Sequence, residues 1–238
     1  MSEEINVDGI PVEVVFKGIK NVHLSVHPPT GRIRIAAPEH INLDTIRIYA
    51  ISKLDWIRKQ QAKLQAQQRE TQREYIDRES HYLWGSRYLL QVNEVEVPPS
   101  VTLLHNEILL SVHPHSDHAK REEVISAWYR VEVRNAVAPL IPNWEKVMGV
   151  QVNQLFIQRM KTRWGSCNHH KGNIRLNTEL AKKPRICLEY ILVHELVHLL
   201  EPSHNERFIA LMDQFMPQWR HHRDALNQAP LGFVEWEY

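Results

Sequence analysis

Cysteine is scarce in this 238-residue chain: Cys167 and Cys187 are the only two. Two thiols cannot build a disulfide framework or a four-cysteine zinc site, so both read as small buried hydrophobes. Long apolar runs are missing as well. No stretch approaches the roughly 20 residues needed to cross a bilayer. The opening MSEEINVDG lacks both the positive region and the apolar region of a signal peptide. A soluble protein of a reducing compartment, the cytoplasm, is therefore expected, with no membrane partner. Nor is there a surplus of either charge. Lys and Arg number 29 against 28 Asp and Glu, a net charge of +1, so any grip on phosphate or nucleic acid must come from a local patch. What remains is ordinary globular material, 43% hydrophobic and 24% charged. That argues against disorder, and the length suffices for one large domain or two small ones.

The first third reads as strands and then a helix. Asp8-Gly9, between INV and IPVEVVF, is a hairpin signal. Val22, Leu24 and Val26 alternate with polar residues, as do Ile33 and Ile35 after Pro28, Pro29 and Gly31. Asn42 has the chemistry of an N-cap. Leu43, Ile46, Ala50, Leu54 and Ile57 follow at helical spacing, and this helix is expected to run on into KLQAQQRETQREY, which is polar almost all round. A boundary near Tyr75 to Ser80 follows, dividing the chain into 1–79 (β-hairpins plus an amphipathic helix) and 80–238 (the half that carries the chemistry). Strands resume at Tyr88–Val92 and across Val101–Val112, the latter turning at His105-Asn106. HLSVHP (His23–Pro28) and LLSVHP (Leu109–Pro114) look alike, but so short a match does not establish a repeat. Ser116 or Asp117 is placed to cap a helix with Val124, Trp128 and Val131 on its buried face, ended or kinked by Pro139 and Pro142. Then come a short strand at Leu155–Ile157, the segment RMKTRWGSC, a turn at 168–172 and the strand NIRLN. A helix from about Arg185 to Glu201 is stopped by Pro202, a second begins near His204 or Asn205, and a last one spans Trp219–Asn227. The fold class is α+β: a β-rich N-terminal half, then a half with its metal motif on a helix.

That motif is HELVHLLEPSH, His194 to His204. On a helix, residues four apart lie on one face, so His194 and His198 can share one metal ion. Glu195 is then placed to reach water at the metal rather than the metal itself, the H-E-x-x-H arrangement of zinc hydrolases. Zinc lowers the pKa of its water to about 7, and Glu195 would take the proton and pass it to the leaving group. The competing reading is a buried helix that happens to carry histidines. It leaves two imidazoles and a carboxylate without partners among leucines, which is costly. A catalytic zinc takes three protein ligands and keeps one position open. His204 is the favoured third ligand, because the residue before Pro202 is pushed out of the helical region and the chain can turn back. Glu201, seven residues after His194, is the other candidate. Otherwise it orients a ligand histidine or is a solvated helix end.

HELVHLLEPSHNERF resembles the H-E-x-x-H…H-x-x-x-F signature of the YgjP-like metallopeptidases, relatives of the SprT-like zincins. RWGSC (Arg163–Cys167) and NIRLN (Asn173–Asn177) resemble the W-G-S-C and I-x-L-N elements that precede the zinc helix in that family. The likeness is strongest from Phe156 to His222. It implies a zincin-like catalytic half, one Zn2+ per chain held by His194, His198 and His204, and Glu195 as the acid/base. Some relatives look like metal-dependent nucleotide pyrophosphatases, so the family name does not fix the bond that is cut.

Between Arg159 and Arg185 lie Lys161, Arg163, Lys171, Arg175, Lys182 and Lys183, with Glu179 the one acid. Most read as solvated strand edges and helix ends. Arg163, beside the W-G-S-C element, is the candidate for substrate binding. Trp164–Cys167 reads as a tight turn in which Gly165 supplies backbone freedom. Ile174–Asn177 is a candidate edge strand that could pair with an extended peptide. His169-His170 and His221-His222 read as surface residues, one of which could stabilise an oxyanion. Three functions compete: a zinc metallopeptidase acting on peptide or protein, a metal-dependent nucleoside triphosphate pyrophosphatase, and a non-enzymatic zinc module for nucleic acid, in which Glu195 would have no role. Oligomeric state is not legible here.

Overall fold

The computed structural model describes residues 2–27, 31–66, 73–160 and 163–228. Pro28, Pro29, Lys161 and most of the polar stretch after Leu64 lie outside them. The chain divides into two compact units, Met1–Gln68 and Arg69–Tyr238.

In the first unit, β1 (Ser2–Val7) and β2 (Ile10–Lys17) form an antiparallel hairpin. Asp8 and Gly9 close it with φ of 52° and 79°, the left-handed pair of a type I′ turn. β3 (His23–His27) pairs antiparallel with β4 (Arg32–Pro38), and β4 pairs parallel with β2, so the order is β1-β2-β4-β3. Alternation puts Val12, Val14, Ile33 and Ile35 on the buried face. Against it pack Ile46 and Ala50 of α1 (Leu43–Ser52) and Ile57 of α2 (Leu54–Ala66). Asn42 caps α1, accepting the Thr45 N–H at 2.8 Å. The single long helix expected here is interrupted at Lys53, whose N–H turns back to the Ala50 carbonyl.

The second unit opens with the same plan. β5 (Ser80–Leu83) and β6 (Ser86–Glu94) form a hairpin closed by Trp84 and Gly85 at φ 51° and 82°. β7 (Ser100–Leu103) pairs antiparallel with β8 (Glu107–Val112), which pairs parallel with β6, giving the order β5-β6-β8-β7. HLSVH is thus the third strand of one sheet and LLSV part of the fourth strand of the other, so the two look-alike fragments occupy different places. Residues 73–79 belong with this unit, earlier than the boundary expected after residue 79. The Arg78 N–H donates to the Leu90 carbonyl at 2.7 Å, and the Leu90 N–H to that of Glu79 at 2.8 Å.

Asp117 caps α3 (His118–Val137), which buries Ile125, Tyr129, Val133 and Val137. The buried face is therefore one position round from that expected, and Val131 is exposed. α4 (Leu140–Met148) follows, with Pro142 inside its first turn. A three-stranded sheet then forms from β9 (Gln154–Gln158), β10 (Gly165–Asn168) and β11 (Asn173–Asn177) in the order β10-β11-β9. A short 3-10 turn (Thr178–Lys182) leads into α5 (Arg185–Leu200), and α6 (Glu206–Phe215) and α7 (Trp219–Gln228) pack onto α5. Leu188, Leu192, Val193, Leu196 and Val197 of α5 are all buried, so it is a central helix.

Candidate metal centre

The start of α5 is held by the Trp84-Gly85 turn. The Trp84 N–H donates to the Ala181 carbonyl at 2.7 Å, and the Arg185 guanidinium stacks 4.6 Å from the Trp84 ring. Two turns further along, His194 and His198 project from one face. The helix ends where Pro202 requires it to, Glu201 being extended at φ −144°. Asn205 then starts α6 by accepting the Phe208 N–H at 3.0 Å. The intervening turn brings His204 back over α5. Its Nε2 lies 3.1 Å from that of His194, and the three imidazoles offer ligand atoms all within 4.8 Å of one another. Four nitrogens at zinc distance in a tetrahedron lie about 3.3 Å apart, close to the His194–His204 separation, so the donor set suits such an ion.

The surroundings orient the rings. Nδ1 of His198 lies 3.2 Å from the Glu201 carbonyl oxygen, which leaves its Nε2 for the centre. The Glu201 carboxylate is turned away, accepting from the Ser203 hydroxyl at 2.9 Å. Glu201 therefore serves through its backbone and is not among the converging groups. Phe208, 3% exposed, underlies all three rings at 5.0, 4.7 and 4.7 Å from the centroids of His194, His198 and His204. Its spacing in HNERF was the available signal for this role. Nδ1 of His194 is buried without a hydrogen-bond partner among the described residues. Burial, then His198 and His204, push His194 down to about 4, so its imidazole is neutral at neutral pH.

Glu195 follows His194 directly, so it lies roughly 100° further round α5, and it is 5% exposed. Burial lifts its carboxyl to about 8, and the Arg163 charge opposes that shift. Against it lies Gly165, the first residue of β10. An added Cβ there would stand 2.6 Å from Glu195 Oε1. Two expectations change. Residues 165–168 are a strand rather than a tight turn, and Gly165 is needed for close approach, since its φ is not in the left-handed region. β11 is the central strand, paired with both β10 and β9, and the end strand beside α5 is β10. Asn177 joins the parts. Its side chain donates to the Met160 and Arg163 carbonyls at 2.8 Å each, and its N–H donates to that of Trp164 at 2.9 Å.

Most of the described basic residues from Arg159 to Arg185 have partners away from the three histidines. Arg159 is paired with Glu122 and Lys182 with Glu179, Arg175 lies over Phe156, and the buried Lys183 lies over Trp164. Arg163 is exposed, and its charge reaches Glu195. His169, just past β10, lies close enough for its charge to bear on His198, whereas His221 and His222 sit on α7. Cys187 is buried; burial, then Glu195, push the Cys167 thiol to about 11, so neither thiol is a reactive group. No described helix is long and apolar enough to cross a membrane.

A family model described as YgjP-like, metallopeptidase domain, matches residues 20–229. No curated protein matches. Among solved structures, the metallopeptidase zymogen abylysin of Pyrococcus abyssi is 22% identical over 38% of this chain and 90% of its own, with a TM-score of 0.35. The zymogen jannalysin of Methanocaldococcus jannaschii is 20% identical over 40% and 94%, with a TM-score of 0.33.

Proposed function

The chain belongs to the YgjP-like metallopeptidase family, and from that premise we propose that it is a zincin-like, zinc-dependent hydrolase of peptide bonds. His194, His198 and His204 hold the ion. When bound, zinc supplies Lewis acidity and lowers the pKa of water at its open position to about 7. Glu195 accepts the proton of the attacking water and hands it to the leaving amine. The free edge of β10 receives an extended peptide through main-chain hydrogen bonds, which aligns the scissile bond beside Glu195. His169, at the far end of β10, donates to the developing oxyanion. The observation that carries the reading is the convergence of two imidazoles of α5 and a third from the turn after it, with a desolvated carboxylate on the same helix. The competing pyrophosphatase requires several cations at the centre, and most of the described basic residues from Arg159 to Arg185 are engaged elsewhere.

Zinc-loaded protein is offered a quenched-fluorescent peptide mixture and, separately, the common nucleoside triphosphates, with Glu195→Gln beside it. The expected outcome is peptide cleavage by the wild type, reduced about 10²- to 10⁴-fold in a mutant that keeps its zinc. Pyrophosphate release without peptide cleavage would overturn the choice of bond. Unchanged turnover in the mutant would remove Glu195 from the chemistry.

A further inference from the structure

We propose that Gly165 is the positioning residue for Glu195: the missing side chain at the start of β10 sets where the carboxylate stands. This rests on the catalytic role proposed for Glu195. An added Cβ at Gly165 would meet Glu195 Oε1 at 2.6 Å, Glu195 Cγ at 2.9 Å and Ile191 Cγ2 at 2.9 Å. Separations under 3 Å are repulsive contacts, so something must shift.

The strand cannot retreat. Gly165 pairs with Leu176 of β11, which is fully buried. The peptide before it is anchored by Asn177, itself 4% exposed, through the Trp164 and Arg163 carbonyls. The helix cannot retreat either, since α5 is buried around most of its circumference, Ile191 included. What is left to give is side chain: Ile191 is packed in the core, so the larger movement falls to Glu195, whose carboxylate accepts no hydrogen bond among the described residues. β10 therefore acts as a stop for the Glu195 side chain. The same strand that would align a peptide then fixes the base, so the two are set relative to each other by one backbone segment. His194 and His198 of α5 and His204 beyond its end are not among the nearest atoms that the added Cβ would meet.

The test is Gly165→Ala in the full-length zinc-loaded chain. The expected result is one zinc per chain, KM within about twofold of wild type, and kcat on the peptide mixture lowered at least about tenfold, as for a small misplacement of a catalytic group. An unchanged kcat overturns the proposal, and so does a folded protein that has lost its zinc, because the Cβ would then be acting on the ligands. A second measurement does not depend on turnover. Urea unfolding of the wild type, Gly165→Ala, Glu195→Ala and the double variant forms a cycle. Gly165→Ala is expected to raise the unfolding equilibrium constant at least about fivefold more in the wild type than in the Glu195→Ala background. Additive effects overturn the proposal. If Gly165→Ala alone does not fold, the double variant must; its failure would place the clash elsewhere. If the wild type cleaves no peptide, the proposed function fails while the cycle still decides on Gly165.

Discussion

At the scale of single residues, the centre depends on groups that do not themselves ligate. Phe208 is the floor under three imidazoles. Phe208→Leu keeps most of the packed volume but loses the flat ring, so zinc affinity should fall about tenfold or more with little loss of helix; competition with a chromophoric chelator reads the first and circular dichroism the second. Glu195 gives a pH effect in the metal-free protein. Its folded carboxyl titrates at about 8 against an ordinary 4.5. Between those values the folded chain keeps a proton that the unfolded chain has released, so this group's contribution to stability falls as pH rises. His194, pushed down to about 4 from 6.5, acts in the opposite sense below pH 6.5, where the unfolded chain takes up the proton and acid destabilises. Glu195→Gln isolates the first effect: its stability relative to wild type should increase from pH 5 to pH 8 in urea unfolding with a chelator present. A constant difference would mean the carboxyl is not desolvated. The approach of His194 to His198 was legible because four residues are about one helical turn. The contact of Gly165 with Glu195 was not, since it joins residues thirty apart whose approach depends on how a strand crosses a helix.

At the scale of elements, the turn from α5 to α6 decides where His204 stands. Asn205 holds the first turn of α6 through the Phe208 N–H, and His204 is its immediate neighbour. Asn205→Ala should cost about 1 kcal/mol of stability and weaken zinc binding, while leaving peptide KM near wild type in enzyme saturated with metal. Thermal melts with and without zinc check both effects. Helix ends and tight hairpins were readable because their signals are local: Asn42, Asp117, Pro202 and Asp8-Gly9 each act on their own backbone. Strand order was not. NIRLN looks the same whether it ends a sheet or sits between β10 and β9, and that depends on partners distant in sequence. The face of α3 was misplaced for a related reason. Trp128 and Tyr129 are both large and apolar, and the neighbouring elements select which of them goes inside.

At the scale of the whole molecule, the α+β character was visible from alternating and helical spacings, but the recurrence of one plan was not. β1-β2-β4-β3 and β5-β6-β8-β7 share strand order and pairing senses, yet the fragments that look alike fall on non-equivalent strands. The common feature lies in geometry, down to a two-residue left-handed turn in each first hairpin, while the residues filling it differ: Asp8-Gly9 in one and Trp84-Gly85 in the other. This recurrence bears on how the chain finds its fold. During refolding, every strand meets both its own partner and a counterpart of the same pairing sense from the other sheet, and exchanged pairings of this kind are a known trap for chains with repeated parts. Dilution of the full chain from urea should therefore show a slow, minor phase that is absent when residues 73–238 refold alone, and zinc uptake should lag by the lifetime of that trapped population.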